Sequence, residues 1–325
     1  MAPPGPPYPP QTASLGGIPN VKVDVPITSV FLLLFILGAI AHMAIFQMNR
    51  KQAHKFFLSL VMFVFCMCRI VTMALRIAWA TQQHNVKLGI AAMIFVAAGT
   101  VLLYIINLLF AQRIIRAQHP NWGWHRAFDG GFRVIVIVII VTLIMLITVT
   151  VQSFYTLSER KHNIDRDIQL YGSTFYTFVA FLPILLVIIG LLIPRRIRVE
   201  KFGSGRFRTK IFTLLLASFL LTLGAAWRCG TAFAPLVPRT QSPWYFSKAC
   251  FYVFDFGVEA VVVFLYIFVR VDRRFHIPDG AKGLGAYIKG ETDVEKEMRL
   301  SEDISDEKRP EEAELDEKKP LKEDL

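Results

Sequence analysis

Seven runs of apolar residues, each about as long as a bilayer is thick, constrain this chain more than any other feature. They occupy 27–48, 56–80, 88–110, 134–154, 171–193, 211–227 and 249–269. A helix needs about 20 apolar residues to cross the hydrocarbon core. Inside lipid every backbone polar group must pair within its own segment, which a helix achieves. The runs are built from Leu, Ile, Val, Phe, Ala and Met with no period-2 alternation, whereas a membrane β-strand is about half as long and alternates in polarity. The sequence therefore predicts an all-α, integral membrane seven-helix bundle. The charged fraction of 19%, against about 25% in soluble domains, agrees. Neither a soluble enzyme nor a disordered scaffold fits.

The distribution of Lys and Arg predicts orientation, because cytoplasmic loops hold the excess. With the N-terminus outside, the inner segments carry Arg50, Lys51, Lys55, Arg113, Arg116, Arg126 and Arg133. Arg195, Arg196, Arg198, Lys201, Arg206, Arg208 and Lys210 follow, and then Arg270, Arg273, Arg274, Lys282 and Lys289. The outer segments hold only Lys22, Lys87, Arg160, Lys161, Arg166, Arg228, Arg239 and Lys248. The expected topology is N-terminus outside and C-terminus cytoplasmic, as an odd number of spans requires. The net charge of +11 would raise nucleic-acid binding in a soluble protein; here its placement reads as topology, and no nucleic acid is expected.

Four regions follow: a Pro-rich disordered N-terminus at 1–26, a transmembrane domain at 27–271, a juxtamembrane segment at 272–290 and an acidic tail at 291–325. The first span reads as a retained signal anchor, since no basic n-region precedes it. The tail carries fifteen acids and seven bases. It has too few apolar residues to bury a core, so a disordered tail is expected.

The ionisable residues inside the spans are the candidate site. A charge at the bilayer centre costs about 2.5–3.5 kcal/mol on insertion scales and normally faces a partner in the bundle. The second span carries Arg69 and Arg76, two helical turns apart. The seventh carries Asp255 and Glu259, four residues apart and so on one face of a helix. Matching depths pairs Arg69 with Glu259 near mid-bilayer and Arg76 with Asp255 further out. The two pairs either fix helix packing or form a polar site for a ligand, an anionic lipid headgroup or a relayed proton. Pro183 is expected to kink the fifth span. His42 and Asn107 are expected to hydrogen-bond between helices.

Cys229 and Cys250 both fall at the outer ends of spans and are candidates for a disulfide, with two free thiols as the alternative. No zinc-protease, phosphate-binding-loop, serine-hydrolase or paired-cysteine motif is present, so no enzymatic activity, cofactor or metal is expected. The rhodopsin-like receptor signatures are absent: the third span ends in Ala111-Gln112-Arg113, and the seventh in Val269-Arg270-Val271-Asp272. No Lys lies inside the seventh span to hold retinal.

Three stretches carry a resemblance: TVTVQSFYTL at 148–157, RVEKFGSGR at 198–206, and VDRRFH at 271–276 followed by Pro278 and Gly280. Together they make the chain, over about residues 1–288, similar to an uncharacterised family of seven-helix membrane proteins from filamentous fungi. Members are commonly labelled "family C-like G-protein-coupled receptor". The resemblance implies an orphan receptor-like sensor of unknown ligand, in the plasma membrane or an endomembrane. Its basic inner loop 194–210 would meet a G protein or anionic lipid. The alternative is a lipid or small-solute transporter or exporter using the intramembrane charges.

Overall fold

The computed structural model describes residues 5–9, 12–51, 56–194, 199–200, 202–277, 281, 283 and 287. Seven helices long and apolar enough to cross a membrane dominate it. They are α1 (Asp24–Lys51), α2 (Phe57–Thr81), α3 (Val86–Gln118), α5 (Arg126–Tyr155), α6 (Glu159–Leu192), α7 (Phe207–Phe233) and a composite last span, Lys248–Phe268. A single turn, α4 (Pro120–Gly123), joins α3 to α5. The composite span starts as α8 (Lys248–Phe251), widens into a π-helical stretch at Tyr252–Gly257 and continues as α9 (Val258–Phe268). Arg270, in the left-handed region at φ 53°, ends it, and the short α10 (Val271–Arg274) follows.

Each helix starts or ends where the chain chemistry allows. The Asn85 side chain caps α3 by accepting from the Leu88 N–H at 3.4 Å, which satisfies one of the orphan donors of the first turn. The helices outrun their apolar blocks. α6 begins twelve residues before the expected span, and α7 extends to Phe233, six beyond Trp227. Polar residues continue a helix once an apolar run has nucleated it. α6 also runs unbroken through Pro183.

α3 is the central helix and packs against α2, α5, α6 and α7, while α1 packs on α2 and α9 closes against α1 and α7. The outermost surface is apolar. Val134, Ile137, Val141 and Ile144 of α5 and Val30, Leu33 and Ile40 of α1 are all exposed. Such continuous apolar faces are untenable in water and natural in lipid. The protein is an integral multi-pass membrane protein.

The chain enters α1 at one end of the bundle, the entry end; the opposite end is the exit end. At the entry end the N-terminal segment, expected to be a disordered cap, lies against the bundle in its described part. Tyr8 N–H donates to the Phe154 carbonyl at 2.8 Å, Ala13 N–H to Val237 at 2.9 Å and Gly16 N–H to Phe246 at 3.1 Å. These bonds give its backbone groups partners that solvent would otherwise supply. At the exit end, Phe202, Phe275 and Tyr287 form an aromatic seal over Phe110. Asp272 there accepts from Arg270 at 2.9 and 3.0 Å and from Asn49 at 3.2 Å. Burial opposes its charge, but those bonds hold its carboxyl below the usual value. Burial pushes the Tyr287 phenol up to about 12.

The acidic tail 291–325, most of the juxtamembrane segment, Lys55, and Arg195, Arg196, Arg198 and Lys201 of the basic inner loop lie outside the described residues.

Candidate functional site

Two charged clusters sit inside the entry half of the bundle. The deeper one is built on α2, α3, α7 and the last span. Arg69 leaves α2 and makes a two-pronged bond with Glu259 of α9, Nε to Oε2 and Nη2 to Oε1, both at 2.6 Å. Both side chains are essentially inaccessible, at 0% and 1% exposure. The guanidinium fork matches the carboxylate geometrically, which makes this the strong form of a charge-assisted bond. Its remaining donors are used as well: Nη1 reaches the Val96 carbonyl at 2.9 Å and the Phe95 carbonyl at 3.2 Å, and Nη2 reaches Thr100 Oγ1 at 2.7 Å. Gly99 makes room for this head. A Cβ there would stand 2.9 Å from the Arg69 Cζ.

Thr100 extends the cluster. Its hydroxyl donates to Glu259 at 2.8 Å and accepts from Arg228 Nη1 at 3.0 Å. Arg228 also donates through Nη2 to the Tyr104 hydroxyl at 2.7 Å. Its Nη1 stands 3.3 Å from Asp255 Oδ1. That contact is charge against charge without hydrogen-bond alignment, because neither Asp255 oxygen has a hydrogen-bond partner. Asp255 is 1% exposed and sits in the π-helical stretch, a form that recurs at functional sites.

The shallower cluster centres on Asp24, the first residue of α1. It accepts from Arg76 Nη2 at 2.9 Å, from Tyr252 Oη at 2.8 Å and from the backbone N–H of Asn20 at 2.8 Å, and it pairs with Lys248. Arg76 adds Tyr252 Oη at 2.9 Å and the Gly16 carbonyl at 3.2 Å, and lies over the Phe251 ring at 4.2 Å. An arginine held between rings and a carboxylate in this way uses both its charge and its plane.

The structure thus brings Arg69 and Glu259 together but not Arg76 and Asp255. Arg76 turns to Asp24, and Asp255 to Arg228. Both replacement partners lie just beyond the apolar blocks, Asp24 before 27 and Arg228 directly after Trp227. Both sit outside the apolar runs themselves. A charge adjoining a run's end, opposite an unmatched intramembrane charge, is the signal the sequence holds for them. Nothing in the sequence pointed to Thr100, Tyr104 or Tyr252.

Of the two readings of Cys229 and Cys250, the structure shows the free thiols rather than the candidate disulfide: Cys66, Cys68, Cys229 and Cys250 are all free. Cys229 faces Thr174 of α6 at 3.7 Å, and Cys250 faces the Trp244 carbonyl at 3.9 Å. Each thiol is turned to its own neighbour. Of the lone polar residues, Asn107 bridges three helices, donating to Ser218 at 3.1 Å and accepting from Tyr266.

Above the deeper cluster opens a cavity of about 470 Å³. Its charged lining is Arg76, Arg166, Arg228 and Asp255, among Trp79, Tyr104, Tyr176 and small apolar side chains of α3. Thr12–Gly17 of the N-terminal segment contributes to its roof. Below it the bundle is solid: Leu103, Ile106, Phe110 and Tyr266 are at most 1% exposed. The volume and mixed lining suit a small organic molecule with a few fixed polar groups. Among the described residues no three His, Cys, Asp or Glu side chains converge as a metal site.

Residues 199–276 match a family described as "Protein of unknown function (DUF3112)". That stretch contains α7 and the whole last span, and so carries Arg228, Asp255 and Glu259. No curated protein and no solved structure matches the chain.

Proposed function

We propose that the protein is a receptor-like sensor, with its N-terminus outside and the entry-end cavity as its ligand site. The single observation that carries this reading is the one-sidedness of the cavity. It lies at the entry end and stops at a hydrogen-bonded floor, Arg228–Thr100–Glu259–Arg69. Beneath that floor the core is closely packed to the exit end. A site that takes a ligand from one side and couples it to charges joining four helices suits a sensor, because differential contacts with those helices can bias the bundle's equilibrium. The resemblance to fungal proteins labelled "family C-like" receptors leans the same way. A G protein or anionic lipid at the basic loop 194–210 is the proposed inner partner, and the plasma membrane or an endomembrane the proposed location.

The test is nucleotide exchange on a co-expressed Gα in membranes, screened against small polar molecules. A ligand that accelerates exchange with the native chain but not with Asp255→Asn supports the reading. A ligand that instead accumulates inside sealed proteoliposomes, without effect on exchange, would overturn it in favour of a transporter.

A further inference from the structure

The cavity holds two buried polar groups left without hydrogen-bond partners, of opposite kind and at different depths. At the floor both carboxylate oxygens of Asp255 lack a hydrogen bond. The nearest cation, Arg228, has turned its Nη1 and Nη2 to Thr100 and Tyr104. A carboxylate only accepts, and a buried one left without donors is costly. At the rim, Arg166 of α6 lines the same cavity, and its Nε is buried without an acceptor. Its Nη2 is anchored to the Ala234 carbonyl at 3.3 Å. Gly224 abuts the Phe254 carbonyl, next to Asp255, and Ala234 lies ten residues further along α7 and its cap, so the two levels differ by about 15 Å along the axis.

The charges point the same way. Arg76 is answered by Asp24, and Arg228 by Asp255. Arg166 has no acidic partner among the described residues, and is the excess cation of the lining. A simple amine would satisfy Asp255 but add positive charge to a lining that already has a surplus. A simple acid would satisfy Arg166 and leave the floor acceptor empty. The apolar part of the lining includes Ala92, Met93, Val96, Leu146 and Ala225, which suit a methylene chain.

We infer that the cavity binds an elongated zwitterion: an N–H donor end, ideally an ammonium, on Asp255 and a carboxylate end on Arg166, separated by an apolar spacer. This rests on the cavity being a ligand site, as proposed above, and names the ligand's class.

The probe is 6-aminohexanoate, compared with hexylamine and hexanoate, on the full chain in lipid nanodiscs, with thermal unfolding followed by tryptophan fluorescence. The zwitterion at tenfold over its Kd should raise the midpoint by about 3 °C, and each single-ended analogue by less than half of that. Asp255→Asn and Arg166→Gln should each reduce the zwitterion's shift to that of a single-ended analogue. Arg166 is at the rim and only partly buried, so Arg166→Gln remains informative even if Asp255→Asn does not fold. Equal shifts from all three probes, no shift from any, or a zwitterion shift that survives Arg166→Gln would overturn the inference. Binding is read here without reference to signalling. Exchange on Gα driven by some other ligand would leave the sensor reading standing while this inference falls, and zwitterion binding without exchange would do the reverse.

Discussion

At the scale of residues, the Arg69–Glu259 bond dominates the interior. Removing one member of a buried ion pair leaves the other charge stranded, at a cost of about 3–5 kcal/mol. Glu259→Gln should therefore lower the unfolding midpoint markedly, as read by tryptophan fluorescence in nanodiscs. Exchanging the two residues should not restore stability. The carbonyls of Phe95 and Val96 and the two-pronged fit all face position 69, and a carboxylate placed there would be repelled by those oxygens. If the exchanged double variant unfolds where the native chain does, the carbonyl contacts contribute nothing and the pair acts as a bare charge couple. Depth along each helix, countable in the sequence, was enough to set Arg69 opposite Glu259. It was not enough for Arg76. That side chain had two carboxylates within reach, and the choice depended on where the N-terminal segment and Tyr252 sit, which no periodicity encodes.

At the scale of elements, the last span is the unusual one. A π-helical stretch carries Asp255 and shifts its register relative to Glu259 on α9. The sequence sets both acids against α2, while the structure gives Glu259 to α2 and Asp255 to Arg228 of α7. The stretch lies tight against α7: a Cβ on Gly224 would meet the Phe254 carbonyl oxygen at 2.5 Å. Gly224→Val should push the two elements apart, separate Arg228 from Asp255 and lower the unfolding midpoint. Gly230→Ala, on the same helix with open space around it, should leave the midpoint unchanged or raise it slightly, by the propensity gain of about 0.5–1 kcal/mol. Equal effects from both would mean that helix propensity, not the close approach, governs this contact. The seven helices themselves were fully legible, because apolar length is a property of sequence alone. Their polar extensions were not, since residues 159–170 and 228–233 carry no apolar signal of their own.

At the scale of the molecule, orientation is the property to fix first. Cys250 sits at the entry end with a free thiol that is only partly buried. With the N-terminus outside, a membrane-impermeant maleimide should label it on intact cells, and Cys250→Ser should lose most of that label. Labelling that appears only after the membrane is opened would invert the topology and place the cavity mouth in the cytosol. Cys66 and Cys68, in mid-span, should stay unlabelled either way. The uneven division of the bundle, hollow and charged at one end and aromatic and sealed at the other, gives that orientation its functional meaning.

The roof over the cavity joins the N-terminal segment to the stretch that leads into the last span. Ala13 and Gly16 are bonded to Val237 and Phe246, more than two hundred residues later, and Asp24 to Lys248 and Tyr252. Contacts so distant in sequence form late, because the intervening chain must be placed first. During synthesis the site can exist only after the final helix has inserted. A truncated product with six spans would keep Arg69 but have neither floor nor roof. The pocket is thus a record of complete assembly.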